Sequence, residues 1–122
     1  MAETYRRFRV EYAGKVAVLT LAAGDYLERS TTADLKRELL EFAAADKPAR
    51  LVIDFEHVPH FSTEFISGLV SVKRRLCGQQ PDATIVLCSL ATVPREVFHI
   101  IDPRQSLFCI YDTQAEAVAA LR

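Results

Sequence analysis

Two stretches, RLVIDFEHV (residues 50–58) and ATIVLCSL (residues 83–90), carry apolar side chains at consecutive rather than alternating positions. Both are rich in aliphatic and β-branched residues, and Pro48 and Pro59 bound the first. A strand of this kind hides side chains on both faces. It therefore belongs inside a sheet with helices packed on it, and the rest of the chain must supply those helices.

It does. STTADLKRELLEFAAAD places Leu35, Leu39 and Phe42 at i, i+4 and i+7, with Ser30 to Thr32 as candidate caps. Phe65, Leu69, Val72 and Leu76 form a second helical stripe, widened by Ile66 and Val70. TVPREVFHIID reads as a short helix, with Pro94 in its first turn and Pro103 beyond its end. SLFCIYD is a last strand, and DTQAEAVAALR a last helix with Thr113 and Glu116 at capping-box spacing. At the start, RFRVEYAGKVAVLTLAA alternates at Phe8, Val10 and Tyr12, then resumes at Val16, Val18 and Leu19, so a hairpin around Gly14 fits. The expectation is an α/β fold: an N-terminal hairpin, a mixed central β-sheet of about five strands, and about four helices packed on it. Without repeats or a Gly/Ser linker, residues 1–122 read as a single domain.

Several function classes drop out. A formal net charge of −1 gives no electrostatic footprint for nucleic acid or an anionic membrane surface. No apolar run approaches the roughly 20 residues that span a bilayer, and MAETYRRFRVEYAG lacks the apolar core of a secretory signal. The expected location is cytoplasmic. Cys77, Cys88 and Cys109 include no CxxC pair, and the last two sit in strand-like runs as small hydrophobes. His57 and His60 fall in one loop without a second ligand pair, and His99 lies on an apolar helix, so no metal is expected. The four glycines are not clustered into a phosphate loop, which leaves no cofactor and no catalytic residue to name. Asp54 ends a central strand as a phospho-receiver aspartate would. However, the hairpin supplies no acidic pair and the last lysine is Lys73. Asp54 is instead expected to tie down a neighbouring loop.

The stretch HFSTEFISGL, residues 60–69, is the most informative for function. Ser62 and Thr63 stand where a helix begins, and Ser and Thr are preferred caps because their oxygen accepts an unpaired backbone N–H. Glu64 suits the positive end of the helix dipole. The same position also accommodates a phosphate, which gains N–H donors and a favourable dipole while changing the surface by nearly two charges. Ser67, Gly68 and Ser71 are small and lie off the apolar stripe, with Arg74 and Arg75 further along. They suggest a smooth strip against which another protein could pack.

At these residues the sequence resembles the STAS family, the anti-sigma factor antagonists of bacterial partner-switching systems. The match runs from RLVIDFEHVPHFSTEFISGL through ATIVLCSLATVPREVFHIID to LFCIYDTQAEAVAAL, residues 50–121. Asp54 matches the family's strand aspartate, and Ser62 its Asp-or-Ser position. Thr63 matches the hydroxyl that partner kinases phosphorylate, while Ile66 and Ser67 match the apolar and small positions that follow. Glu64 departs from the small residue common there, and Phe65 replaces Gly or Ala; Phe65 is expected to turn into the core. The resemblance implies a binding protein rather than an enzyme, acting in signal transduction and transcription regulation. It implies docking on an anti-sigma factor that is a serine/threonine protein kinase, release on phosphorylation of Thr63 (alternatively Ser62), and reset by a phosphatase. The implied docking surface is Ser62, Thr63, Glu64, Ser67, Gly68 and Ser71. The protein is expected as a monomer or weak dimer. The alternative is an unphosphorylated STAS scaffold module in a larger signalling or transport assembly.

Overall fold

The computed structural model describes residues 5–24 and 26–122. Its elements are β1 (Phe8–Ala13), β2 (Val16–Leu21), α1 (Arg29–Asp46), β3 (Arg50–Asp54), α2 (Thr63–Gln79), β4 (Thr84–Cys88), α3 (Thr92–Ile101), β5 (Cys109–Tyr111) and α4 (Gln114–Leu121). The strands form one sheet in the order β1-β2-β3-β4-β5. The β1–β2 pair is antiparallel and the other pairs are parallel. This is the mixed sheet with four helices that the sequence predicts. Gly14, with φ 63°, opens the two-residue turn between Ala13 and Val16. A positive φ at that first central position is what a type II′ hairpin needs from glycine.

The consecutive apolar runs are explained by two separate cores. Ala17, Leu19, Leu51, Ile53, Ile85 and Leu87 pack with the apolar stripes of α1 and α2, and Phe98 of α3 joins them. The intervening Val16, Val18, Val52, Val86 and Cys88 meet Ala117, Val118 and Leu121 of α4 on the other face. Neighbouring residues of a strand point to opposite faces, so a strand covered twice must be apolar at every position. Each fully buried aliphatic side chain contributes roughly 1.5–3 kcal/mol.

Local signals succeeded where the side chain had no better partner. Thr113 caps α4, its hydroxyl oxygen accepting the Glu116 N–H at 3.2 Å. The caps expected from Ser30 to Thr32 are corrected: α1 already begins at Arg29, after Glu28, with no side-chain cap. Thr32 lies inside the helix, and its hydroxyl donates to the Tyr26 carbonyl at 3.4 Å. Cys88 is buried as expected, and burial and the nearby Asp54 charge push its thiol up to about 12. Cys109 is exposed instead of buried.

The last strand is shorter than SLFCIYD suggests because Asp102 captures its beginning. Buried at the end of α3, its carboxylate accepts the N–H groups of Ser106, Leu107 and Phe108 and the Ser106 hydroxyl. Burial alone would raise its pKa, but these donors outweigh that and hold it below the ordinary value. Asp102→Ala would leave these donors short of an acceptor and is expected to cost about 2 kcal/mol at neutral pH. A folded-state pKa below the unfolded one gives stability that is complete above about pH 4 and lost as pH falls through the lower value. The gap between wild type and variant in urea unfolding should therefore shrink on acidification. A gap that stays constant would show that the ionised carboxylate contributes nothing.

Candidate functional site: the hydroxyl turn at the start of α2

β3 ends at Asp54, which is 2% exposed and accepts two hydrogen bonds. Its Oδ1 takes the Glu56 N–H at 2.8 Å and its Oδ2 takes Gln114 Nε2, also at 2.8 Å. It thus ties the loop after β3 to the start of α4, the loop-fastening role expected of it. From there the chain turns, with Val58 N–H bonded to the Phe55 carbonyl at 3.0 Å. It then runs alongside the segment after β2. The backbone carbonyls of His57 and His60 accept from the N–H groups of Gly24 and Tyr26, and Ser62 N–H donates to the Tyr26 carbonyl at 3.1 Å. Both strand-like contacts and a Tyr26–Phe61 bridge fix the approach to α2.

Aromatic rings form the floor. Phe65 is 2% exposed and turns into the core as expected. It stacks on Phe61 with centroids 4.9 Å apart and meets Tyr26 and Phe55 at 5.5 and 5.9 Å. Phe61 in turn reaches Phe98 of α3 at 5.8 Å. The large residue that replaces a small one in the motif is therefore a packing anchor beneath the turn.

The two hydroxyls divide their roles. Ser62 is the N-cap of α2, and its Oγ accepts the Phe65 N–H at 3.2 Å. Thr63, the first helical residue, is exposed, and no hydrogen bond within the described residues engages its hydroxyl. Glu64 is exposed and pairs with Arg29 of α1 at 3.5 Å. That draws its carboxylate towards a cation, and the pair is solvated enough to contribute at most about 1 kcal/mol.

The small residues on α2 need one correction. Ser67 is exposed and Ser71 half-exposed, its hydroxyl donating to the Ser67 carbonyl at 3.1 Å. Gly68, expected on an open strip, is buried where α1 crosses α2. A Cβ there would meet the Lys36 stem at 3.7 Å. Together these residues line a groove of about 290 Å³ between the two helices, with Arg29 and Lys36 on its α1 wall. Arg74 and Arg75 are exposed further along. His57, His60 and His99 are also exposed. Among the described residues no cluster of three or more His, Cys, Asp or Glu is arranged to hold a metal. No described helix is long and apolar enough to cross a membrane.

Two stability measurements separate the roles. Ser62→Ala should cost about 1 kcal/mol through loss of the cap, whereas Thr63→Ala should leave the denaturation midpoint nearly unchanged. Equal losses would mean that both hydroxyls are structural. At Gly68 the space admits a methyl in ordinary contact, so Gly68→Ala should stabilise α2 by up to about 1 kcal/mol in the same assay.

A family model for the STAS domain matches residues 10–117. No curated protein sequence matches the chain. Among solved structures, the anti-sigma-factor antagonist (STAS) domain protein from Planctomyces limnophilus is 25% identical, with a TM-score of 0.80 over 94% of this chain and 97% of that one. An anti-sigma factor antagonist from Mycobacterium paratuberculosis shares the fold at 23% identity, with a TM-score of 0.77 over 94% of this chain and 92% of its own. The Bacillus cell fate determinant SpoIIAA, in its phosphorylated form, shares it at 16% identity, with a TM-score of 0.67 over 94% and 99%. With its sheet order, its hydroxyl turn and a family match over nearly all its length, the chain belongs to the STAS domain family.

Proposed function

We propose that this chain is an anti-sigma factor antagonist of a bacterial partner-switching system, controlled by phosphorylation of Thr63. The observation that carries the reading is the division of labour at the turn: Ser62 is occupied as the cap, while the adjacent Thr63 is exposed and its hydroxyl is unengaged among the described residues. A kinase needs an accessible hydroxyl whose loss does not disturb the fold, and Thr63 meets that requirement better than Ser62. In support, the fold is shared by SpoIIAA, a protein solved in unphosphorylated and phosphorylated forms.

In this reading the unmodified turn docks on an anti-sigma factor that is itself a serine/threonine kinase. Ser62, Thr63 and Glu64 form the contact with Ser67 and Ser71, while Gly68 lets α1 close the groove behind them. Arg74 and Arg75 extend the surface. The kinase transfers the γ-phosphoryl group of ATP to Thr63 Oγ1, its own base takes the hydroxyl proton, and ADP leaves. A phosphatase later hydrolyses the ester. The antagonist is thus a substrate and regulator, not an enzyme, needs no cofactor of its own, and acts in the cytoplasm with the transcription machinery.

Release follows from desolvation. A phosphate forced into a packed interface without a cationic partner costs several kcal/mol. At the free turn it is tolerated, because the N-terminus of α2 supplies N–H donors and a positive dipole. The paired Arg29 keeps Glu64 from presenting an uncompensated negative charge beside it.

The test is binding to the cognate kinase followed by addition of ATP, with intact-mass analysis of the antagonist. One phosphate on Thr63 and dissociation of the complex are expected. Thr63→Ala should bind and stay bound, and Thr63→Glu should bind at least about tenfold more weakly. A complex that survives ATP, with no phosphate added, would refute the switch and leave the scaffold role.

A further inference from the structure

Independently of Thr63, β1 presents an unusual sheet edge. Among the described residues no strand pairs with its outer side. Its backbone parity is fixed at both ends: the Ala22 N–H donates to the Arg7 carbonyl at 2.7 Å, and the tight turn closes on Ala13 and Val16. Odd-numbered residues of β1 therefore bond to β2, and Phe8, Val10 and Tyr12 turn their N–H and C=O groups outward.

Open edges in soluble domains are usually guarded by lysine, proline or a bulge. The sequence of β1, FRVEYA, has no lysine or proline, and its six pairings with β2 run without a bulge. Its charges are Arg9 and Glu11, one of each sign on either side of Val10, both exposed. They lie on the face that carries α4, whose cluster spans β2 to β5 and takes in β1 only at Ala13.

We propose that this edge pairs with β1 of a second copy of the chain, antiparallel about a two-fold axis at Val10. In that register Val10 faces Val10, and Phe8 faces Tyr12, in hydrogen-bonded pairs that use the outward backbone groups. Arg9 faces Glu11 twice, in the non-hydrogen-bonded sites where side chains approach most closely. Sliding by two residues either way keeps the backbone parity but sets Arg9 against Arg9, or Glu11 against Glu11. The charge order thus favours one register and opposes its neighbours. Tyr12, 54% exposed in the single chain, gains cover in the pair. Its hydroxyl is already held by Asp46 of α1 at 2.5 Å.

Sedimentation equilibrium of the full chain over a wide concentration range, at low and high salt, tests this directly. A dimer that weakens with salt is expected. Arg9→Glu and Glu11→Arg should each raise its dissociation constant about tenfold or more, because two attractive pairs become repulsive. The double variant Arg9→Glu/Glu11→Arg should restore association. Val10→Pro removes an outward N–H without touching a β1–β2 bond and should abolish it. Circular dichroism of each variant checks that the domain remains folded. A chain that stays monomeric throughout, a dimer indifferent to these changes, or a folded double variant that fails to recover would overturn the proposal.

Discussion

β3 and β4 have no solvent face. Leu51, Val52 and Ile53 are each at most 1% exposed although they point alternately to opposite sides. Burial on both sides cannot be satisfied by a sheet alone, so helices must come from both directions. The chain meets this unequally: α1, α2 and Phe98 of α3 cover one face, and the eight residues of α4 cover the other. The inequality decides what remains accessible. One short helix shelters the middle strands but leaves β1 open, and the parallel strands deliver the β3–α2 and β4–α3 connections to the same end of the sheet.

At that end the decisive chemistry is the competition for α2's first N–H groups. A helix start has donors without intrahelical partners, and whichever oxygen reaches them becomes structural. Ser62 reaches the Phe65 N–H, so the neighbouring hydroxyl is left to solvent. The rings beneath hold the donor in place: Phe65, whose N–H is capped, is packed against Tyr26, Phe55 and Phe61. The anchor and the exposed hydroxyl are therefore two consequences of one turn.

Period-based signals carried most of the fold. The helical stripes, the doubly buried strands and the hairpin glycine were legible because each depends on side chains spaced along a single element. What escaped was set between elements. Gly68 borders the apolar stripe, three residues after Phe65 and four before Val72, and the crossing of α1 with its Lys36 stem buries it. Ser30 to Thr32 have good cap chemistry, but the helix already begins at Arg29, and Thr32 inside it reaches back to Tyr26. Cys109 sits in a strand-like run, yet β5 is a three-residue edge that α4 does not fully cover. The site itself was legible as a pair of hydroxyls. Which of them caps, and which stays free, required the position of the Phe65 N–H.

A rigid platform also limits how a phosphate on Thr63 could act. The turn is fastened by Asp54 to the loop and to α4, by backbone bonds to Tyr26, and by aromatic rings underneath. The N-terminus of α2 favours added negative charge rather than opposing it. The fold therefore has little reason to rearrange, and the free-energy change on modification falls mainly on any surface packed against the turn. Under the proposed function, this makes the partner's complementarity to an uncharged hydroxyl the quantity that the switch controls.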